Sequence, residues 1–325
     1  MNSVRIGNEW KFIEDIQVRV GGSWRQADEV HVRVGAQWRK AWEKPGLTWT
    51  VRPSPSPSYW YSVTYGNGLF VAVARSWGSN DNSPRIMTSP NGVTWTVRSA
   101  PTLADWEKVI YGNNRFVASS TDRRIMISED GFNWTEYPNA AGVKPLIYAN
   151  NMFVGASGEN IVTSTDGINW SVKHVSSLEN DWSDIAYGNN RFVAVGSSRG
   201  RGAVSVDGNT WTAYNLHGSV FQATRIAYGN GLFIAITPIG ASYLTSTEGT
   251  GSTWTSRNFG VGGFWRSVAY GAGAFVVIAD DKVITSTSGK GNWVQRASVQ
   301  GDVRDITFGA GKFVIVGLDF IMTSG

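Results

Sequence analysis

The sequence predicts an all-β protein: a seven-bladed β-propeller closed by a strand from the N-terminal side, preceded by a small β-hairpin repeat. Three observations carry this. An aromatic-glycine turn followed by a short apolar strand recurs seven times, at Tyr65, Tyr111, Tyr148, Tyr187, Tyr228, Tyr270 and Phe308 (Ala149 stands for the glycine once). The first six copies are each followed by a Ser-x-Asp-Gly-type turn and a tryptophan strand. The seventh stops at Ser324-Gly325 without its tryptophan, while an unclaimed tryptophan strand, residues 47–52, precedes the first copy. Units of about 40 residues with four strands and a glycine-aromatic signature are the pattern of propeller blades.

Composition narrows the function. Sixteen Trp and 38 Gly among 325 residues suit many short strands, tight turns and large packed aromatics. No run of about 20 apolar residues offers a transmembrane helix, and the start of the chain carries no charged-then-apolar signal segment, so assembly in the cytosol and no membrane insertion are expected. Cysteine is absent, which excludes disulfides, thiolate metal sites and cysteine nucleophiles. A net charge of +4 without a Lys/Arg run argues against nucleic acid. His31, His174 and His217 show no ligand spacing, and no metal or cofactor is expected.

Residues 1–45 hold three units ending in Trp10, Trp24 and Trp38, spaced 14 residues apart, with alternating strands and glycine turns between them. Each hairpin is too short to bury a core alone. The expectation is an attachment or oligomerisation module that uses these tryptophans, with a plain structural appendage as the alternative. The propeller then spans residues 46–325. Residues 47–52 match residues 93–98, which close the first full unit, and a proline-rich loop at 53–57 leads into the repeats. Within a unit, the first strand ends in the aromatic, a Gly-Asn-Gly or Gly-Asn-Asn turn follows, and the fourth strand carries Trp95, Trp134, Trp170, Trp211, Trp254 or Trp293. If residues 47–52 complete the last blade, both termini build it and no bare sheet edge remains.

Parity divides the faces. The one–two and three–four turns lie on one side and read as scaffold. The irregular stretches 75–84, 119–124, 197–202 and 237–242 lie on the other, where specificity usually sits. Residues 1–45 are expected to emerge on the turn side. Five residues before each repeat aromatic stand Trp60, Trp106, Val143, Trp182, Ala223, Trp265 and Val303. The tryptophans there are expected to ring the channel mouth, with Lys108, Asp184, Arg225, Arg266 and Arg304 beside them and Trp77 exposed in the longest loop. Flat rings beside hydrogen-bonding charges suit the faces and hydroxyls of sugars. The competing reading is that these tryptophans only wedge blades apart. A hydrolase would need facing carboxyls. Glu107, Asp184 and Asp305 are the candidates, yet no Tyr/Glu pair stands out, so no catalytic residue is assigned.

The stretch Ser164-Thr165-Asp166-Gly167-Ile168-Asn169-Trp170 resembles an Asp-box, the turn of sialidases and related propellers. Its Asp-to-Trp spacing is one residue shorter than usual, and Asn91 and Ser288 depart from the acid. Sialidase propellers have six blades, which sets this sequence apart from them. Together with Tyr65-Gly66-Asn67-Gly68-Leu69-Phe70-Val71-Ala72-Val73, the units over 47–325 look like those of propeller proteins in bacteriophage tails. The leading repeats are similar to modules of phage tail-fibre and tail-tip proteins. The resemblance implies a virion component assembled in the host cytoplasm: a receptor-binding or adhesion protein in several copies. It would be held to other tail proteins through residues 1–45 and would bind a host surface glycan. A structural tail or baseplate protein is the first alternative and a sialidase-like hydrolase the second.

Overall fold

The computed structural model describes residues 3–6, 9–12, 17–20, 23–26, 29–34, 37–43, 46, 48–76, 81–138, 142–173, 175, 181–197, 200–216 and 222–325, with side chains from residue 46 onward except that of residue 145. The N-terminal units form three two-stranded antiparallel sheets. Ser3–Ile6 pairs with Glu9–Phe12, Gln17–Val20 with Ser23–Gln26, and Glu29–Val34 with Gln37–Glu43. The side chains of Trp10, Trp24, Trp38 and His31, and all of Trp77, His174 and His217, lie outside the described residues.

The rest is a β-propeller. Five sheets have four antiparallel strands and a sixth has seven. The larger sheet arises because one strand, Thr255–Gly271, serves as the outer strand beside Ile239–Ser246 and then as the inner strand beside Ala274–Ala279. Divided between two blades, that strand leaves four strands to each, as in the other five sheets. The inner strands, from Tyr59–Gly66 through Trp106–Gly112, Lys144–Ala149, Trp182–Gly188, Arg225–Gly229 and the end of Thr255–Gly271 to Val303–Gly309, neighbour one another in that order, and the last returns to the first.

Packing at the end of each inner strand explains the aromatic-glycine signature. A Cβ at Gly66 would sit 1.9 Å from Cγ of Tyr111, and one at Gly309 would sit 2.1 Å from Cγ of Tyr65. At six of the seven positions a glycine therefore gives up its side chain so that the next blade's ring can lie on bare backbone, and Ala149 stands at the seventh. Inside each blade the same ring meets the second-strand phenylalanine, as Tyr111 meets Phe116 at 4.8 Å and Phe116 meets Trp134 at 6.3 Å.

Closure is by the N-terminal strand. Trp49–Arg52 pairs antiparallel with Phe320–Ser324, with Trp49 opposite Ser324 and Arg52 opposite Ile321. The side-chain bonds of an ordinary outer strand are reproduced. Trp49 Nε1 donates to Gly46 O at 3.0 Å, as Trp95 Nε1 does to Gly92 O at 2.9 Å. Arg52 Nε donates to Thr323 Oγ1 at 2.9 Å, as Arg98 Nε does to Thr88 Oγ1. Strand Phe320–Ser324 would otherwise be a bare edge.

Candidate functional site

The turn face is built from local hydrogen bonds. In the Asp166 turn, Ser164 Oγ accepts the Gly167 N–H at 2.8 Å while Asp166 Oδ1 accepts the N–H groups of Ile168 and Asn169 at 2.9 and 2.8 Å. Trp170 Nε1 donates to Gly167 O at 3.1 Å. Asp130 and Asp207 repeat the pattern, and Asn91 reproduces it with its amide oxygen. For Asp166 burial works upward on the carboxyl, but the N–H donors outweigh it and hold the group well below the ordinary aspartate range. Donors led by the Asn133 N–H do the same for Asp130, and the Thr210 and Asn209 N–H groups do so for Asp207. In each box one carboxylate oxygen accepts two backbone N–H groups and a serine hydroxyl within the turn, so these boxes are scaffold. Asn113 and Arg115 of one blade donate to the carbonyls of Thr165 and Asp166 in the next, which puts both kinds of turn on one face.

The expected ring of tryptophans at the channel mouth is corrected in favour of the competing wedge reading. Trp60 and Trp106 are 0% exposed, Trp265 2% and Trp182 4%. Each indole N–H is satisfied inside: Trp60 by Ser54 Oγ at 3.0 Å, Trp182 by Glu159 O at 2.9 Å and Trp265 by Gly240 O at 2.7 Å. Val143, Ala223 and Val303 are buried at the equivalent places. The position wedges adjacent blades, and none of these rings can meet a ligand.

What faces outward is the residue after the tryptophan. Most inner strands carry a register shift there, as between Trp60 and Ser62, Trp265 and Ser267, and Val303 and Asp305. A bulge lifts its extra residue out of the ladder and re-aims the side chain. In three consecutive blades the lifted residues are Arg266, Arg304 and Tyr61, and they converge. Arg304 lies over the rings of Tyr59 and Tyr61 at 4.9 and 5.6 Å, and Arg75 lies over Tyr61 at 4.8 Å. Tyr59 and Tyr61 meet edge-on at 5.7 Å. Asp302 bridges the cluster, accepting from Arg304 and from the Tyr59 hydroxyl at 2.9 Å. Arg266 is held bidentately by Asp280, at 2.7 and 2.5 Å. Burial, helped by the bond to Asp302, pushes the Tyr59 phenol up to about 12. Beside Tyr59 opens a cleft of about 180 Å³ lined by Pro57, Ser58, Asp81, Ser83, Leu318 and Asp319. Arg266 and Arg304 were foreseen as site residues; the tyrosines and Arg75 were not. The Tyr59-Trp60-Tyr61 triplet carried the signal, because a buried middle ring on a bulged strand turns its neighbours outward.

The other charged candidates line the channel. Seven inner-strand positions are equivalent by register: Ser62 opposite Val73, Lys108 opposite Ser119, Lys144 opposite Ala156, Asp184 opposite Val195, Arg225 opposite Ile236, Ser267 opposite Ile278 and Asp305 opposite Val316. Asp305 ties three blades together. Ser62 Oγ donates to Oδ2 at 2.9 Å and Ser267 Oγ to Oδ1 at 3.0 Å, while the N–H groups of Val63 and Ile306 complete the set. Asp184 accepts the N–H groups of Ile185 and Ile226, both at 3.0 Å. These carboxylates cap backbone donors on the open inner edges of the sheets, a structural duty that leaves them poorly suited to acid–base work. Among the described residues no group of three His, Cys, Asp or Glu could hold a metal, and no helix is long and apolar enough to cross a membrane.

Fold and site define a β-propeller with one scaffold face and one polar, aromatic loop face. No family model and no curated protein matches the sequence. Solved structures do. YCF48 bound to D1 peptide aligns with TM-score 0.67 and 14% identity over 85% of this chain and 96% of that one. Virginiamycin B lyase from Staphylococcus aureus aligns with TM-score 0.71 and 13% identity over 85% and 99%. YCF48 from Cyanidioschyzon merolae aligns with TM-score 0.65 and 14% identity over 85% and 98%. At such identity the likeness is one of fold alone. That fold serves a lyase in one case and was solved with a bound peptide in another, so it does not decide whether this chain is an enzyme.

Proposed function

We propose that this protein is a non-catalytic receptor-binding or adhesion protein of a bacteriophage tail, whose loop face binds a host cell-surface glycan. The observation that carries the glycan reading is Tyr61: a half-buried ring flanked by Arg75 and Arg304, whose hydroxyl has no hydrogen-bond partner among the described residues. Guanidinium, carboxylate and phenol groups gathered on half-buried tyrosine rings suit a sugar, whose hydroxyls they would orient while the remaining ring surface meets its C–H groups. The propeller resemblance and the N-terminal hairpins support attachment to other tail proteins through residues 1–45. Several copies on one particle would let weak contacts add through effective concentration. The duty of Asp184 and Asp305 as backbone caps favours binding over hydrolysis.

The test is a glycan array probed with the full chain and with Tyr61→Ala and Arg304→Ala. Binding to a defined glycan class that falls at least about tenfold in both variants, with melting curves unchanged, is expected. No binding by the parent protein overturns the glycan reading in favour of a structural tail protein. Sugar release that Asp184→Asn or Asp305→Asn abolishes overturns it in favour of a hydrolase.

A further inference from the structure

One arc of the channel wall carries charge that the scaffold does not consume. Lys108, Lys144 and Arg225 occupy register-equivalent positions on the second, third and fifth inner strands, with Asp184 on the fourth. Lys144 reaches its position because the register shift in its strand falls later, between Pro145 and Ile147. Both oxygens of Asp184 accept backbone N–H groups. Lys108 approaches Asp305 Oδ2 only to 4.0 Å, and that oxygen already accepts from Ser62 and Val63. Arg225 donates to the carbonyl of Thr224. Lys144 has no hydrogen-bond or ion-pair partner among the described residues. Three cations thus face the channel where Asp184 and Asp305 are taken up by backbone and serine donors, which leaves Glu107 to oppose them near Lys144, and an excess of one sign along such a wall focuses positive potential.

We propose that this arc, at the loop-face end of the channel, binds a single oxyanion, a carboxylate or phosphate-type group, between Lys108, Lys144 and Arg225. Burial draws the Lys144 ammonium below the ordinary lysine value, and Arg225 and Lys108 act in the same direction while Glu107 and Asp184 oppose them. An arriving anion acts in the opposite direction and favours the charged ammonium. The group comes either from an acidic sugar of the surface ligand or from free phosphate. The site lies on blades other than those of Tyr61, Arg266 and Arg304, so it stands or falls separately from the glycan platform.

The experiment is lysine acylation of the full chain, mapped by mass spectrometry, at constant ionic strength. It is run with sodium chloride alone, with inorganic phosphate, with an oligoglucuronate and with the matching neutral oligoglucose. Labelling of Lys144 is expected to slow at least about tenfold with an oxyanion while exposed Lys290 is unchanged, and Arg225→Gln is expected to weaken that protection by about tenfold or more. Protection by oligoglucuronate alone assigns the anion to an acidic glycan, and protection by phosphate alone assigns it to the free ion. Equal labelling of Lys144 in all four conditions, or protection by oligoglucose equal to that by oligoglucuronate, overturns the proposal.

Discussion

Gly66 and Gly68 stand two residues apart in the first turn and serve different ends. Gly68 has φ +75 with nothing near its absent Cβ, so Gly68→Ala costs about 1 kcal/mol of backbone strain. Gly66 has no such conformation, but its Cβ would enter the Tyr111 ring. Gly66→Ala is expected to cost about 3 kcal/mol or more, at or above the usual range for overpacking, because backbone and ring must both shift. Urea unfolding of the two variants checks the order. The box aspartates set the acid limit. Their folded-state values lie below the unfolded aspartate value of about 3.9, so the stability they contribute is fully present above that pH. It is lost as the pH falls from there through the lowered values of Asp130, Asp166 and Asp207. Thermal melts from pH 7 to pH 2.5 should therefore be flat near neutrality and fall steeply below about pH 4. Asp166→Ala should shrink that fall.

At the scale of the element, Trp49–Arg52 is the piece on which closure depends. The Gly325 N–H donates to Thr48 O at 3.0 Å, which brings the C-terminus directly beside the start of this strand. A permutant joining residue 325 to residue 46 and opening in the loop at 53–57 should melt close to the parent. Deleting residues 46–52 should lower the melting temperature and promote aggregation through the exposed edge. The bulged inner strands make a second point. Trp60→Ala and Trp106→Ala empty fully buried sites and should cost about 3–5 kcal/mol each. They will read as folding mutants in denaturant titrations. Sequence spacing located these residues correctly at the head of each inner strand but left their environment open between the channel mouth and a wedge between blades, and burial decides for the wedge. Periodicity gives a position along a strand, whereas a single extra residue at a bulge decides which side chain leaves the ladder.

At the scale of the molecule, the blades and their closure were legible because both follow from local rules. Glycine-asparagine turns, alternating apolar strands and a missing tryptophan strand at one end point to one arrangement. The two-face division was legible from strand parity alone. The site was legible only in part: Arg266 and Arg304 by their place in the repeat, but not Tyr59, Tyr61 and Arg75, whose convergence joins the first blade to the sixth and seventh across the closure. Lys144 was missed for a related reason, since a displaced bulge moved it into the channel register. The proposed function divides the faces: the loop face would read and the turn face would hold the scaffold. Hydrogen–deuterium exchange of the full chain, with and without the glycan that the array identifies, tests this most directly. Slowed exchange confined to the segments around residues 59–61, 75 and 302–304, with the Asp-box turns at 89–95, 128–134 and 164–170 unchanged, is the predicted result. Slowing confined to those turns would contradict it.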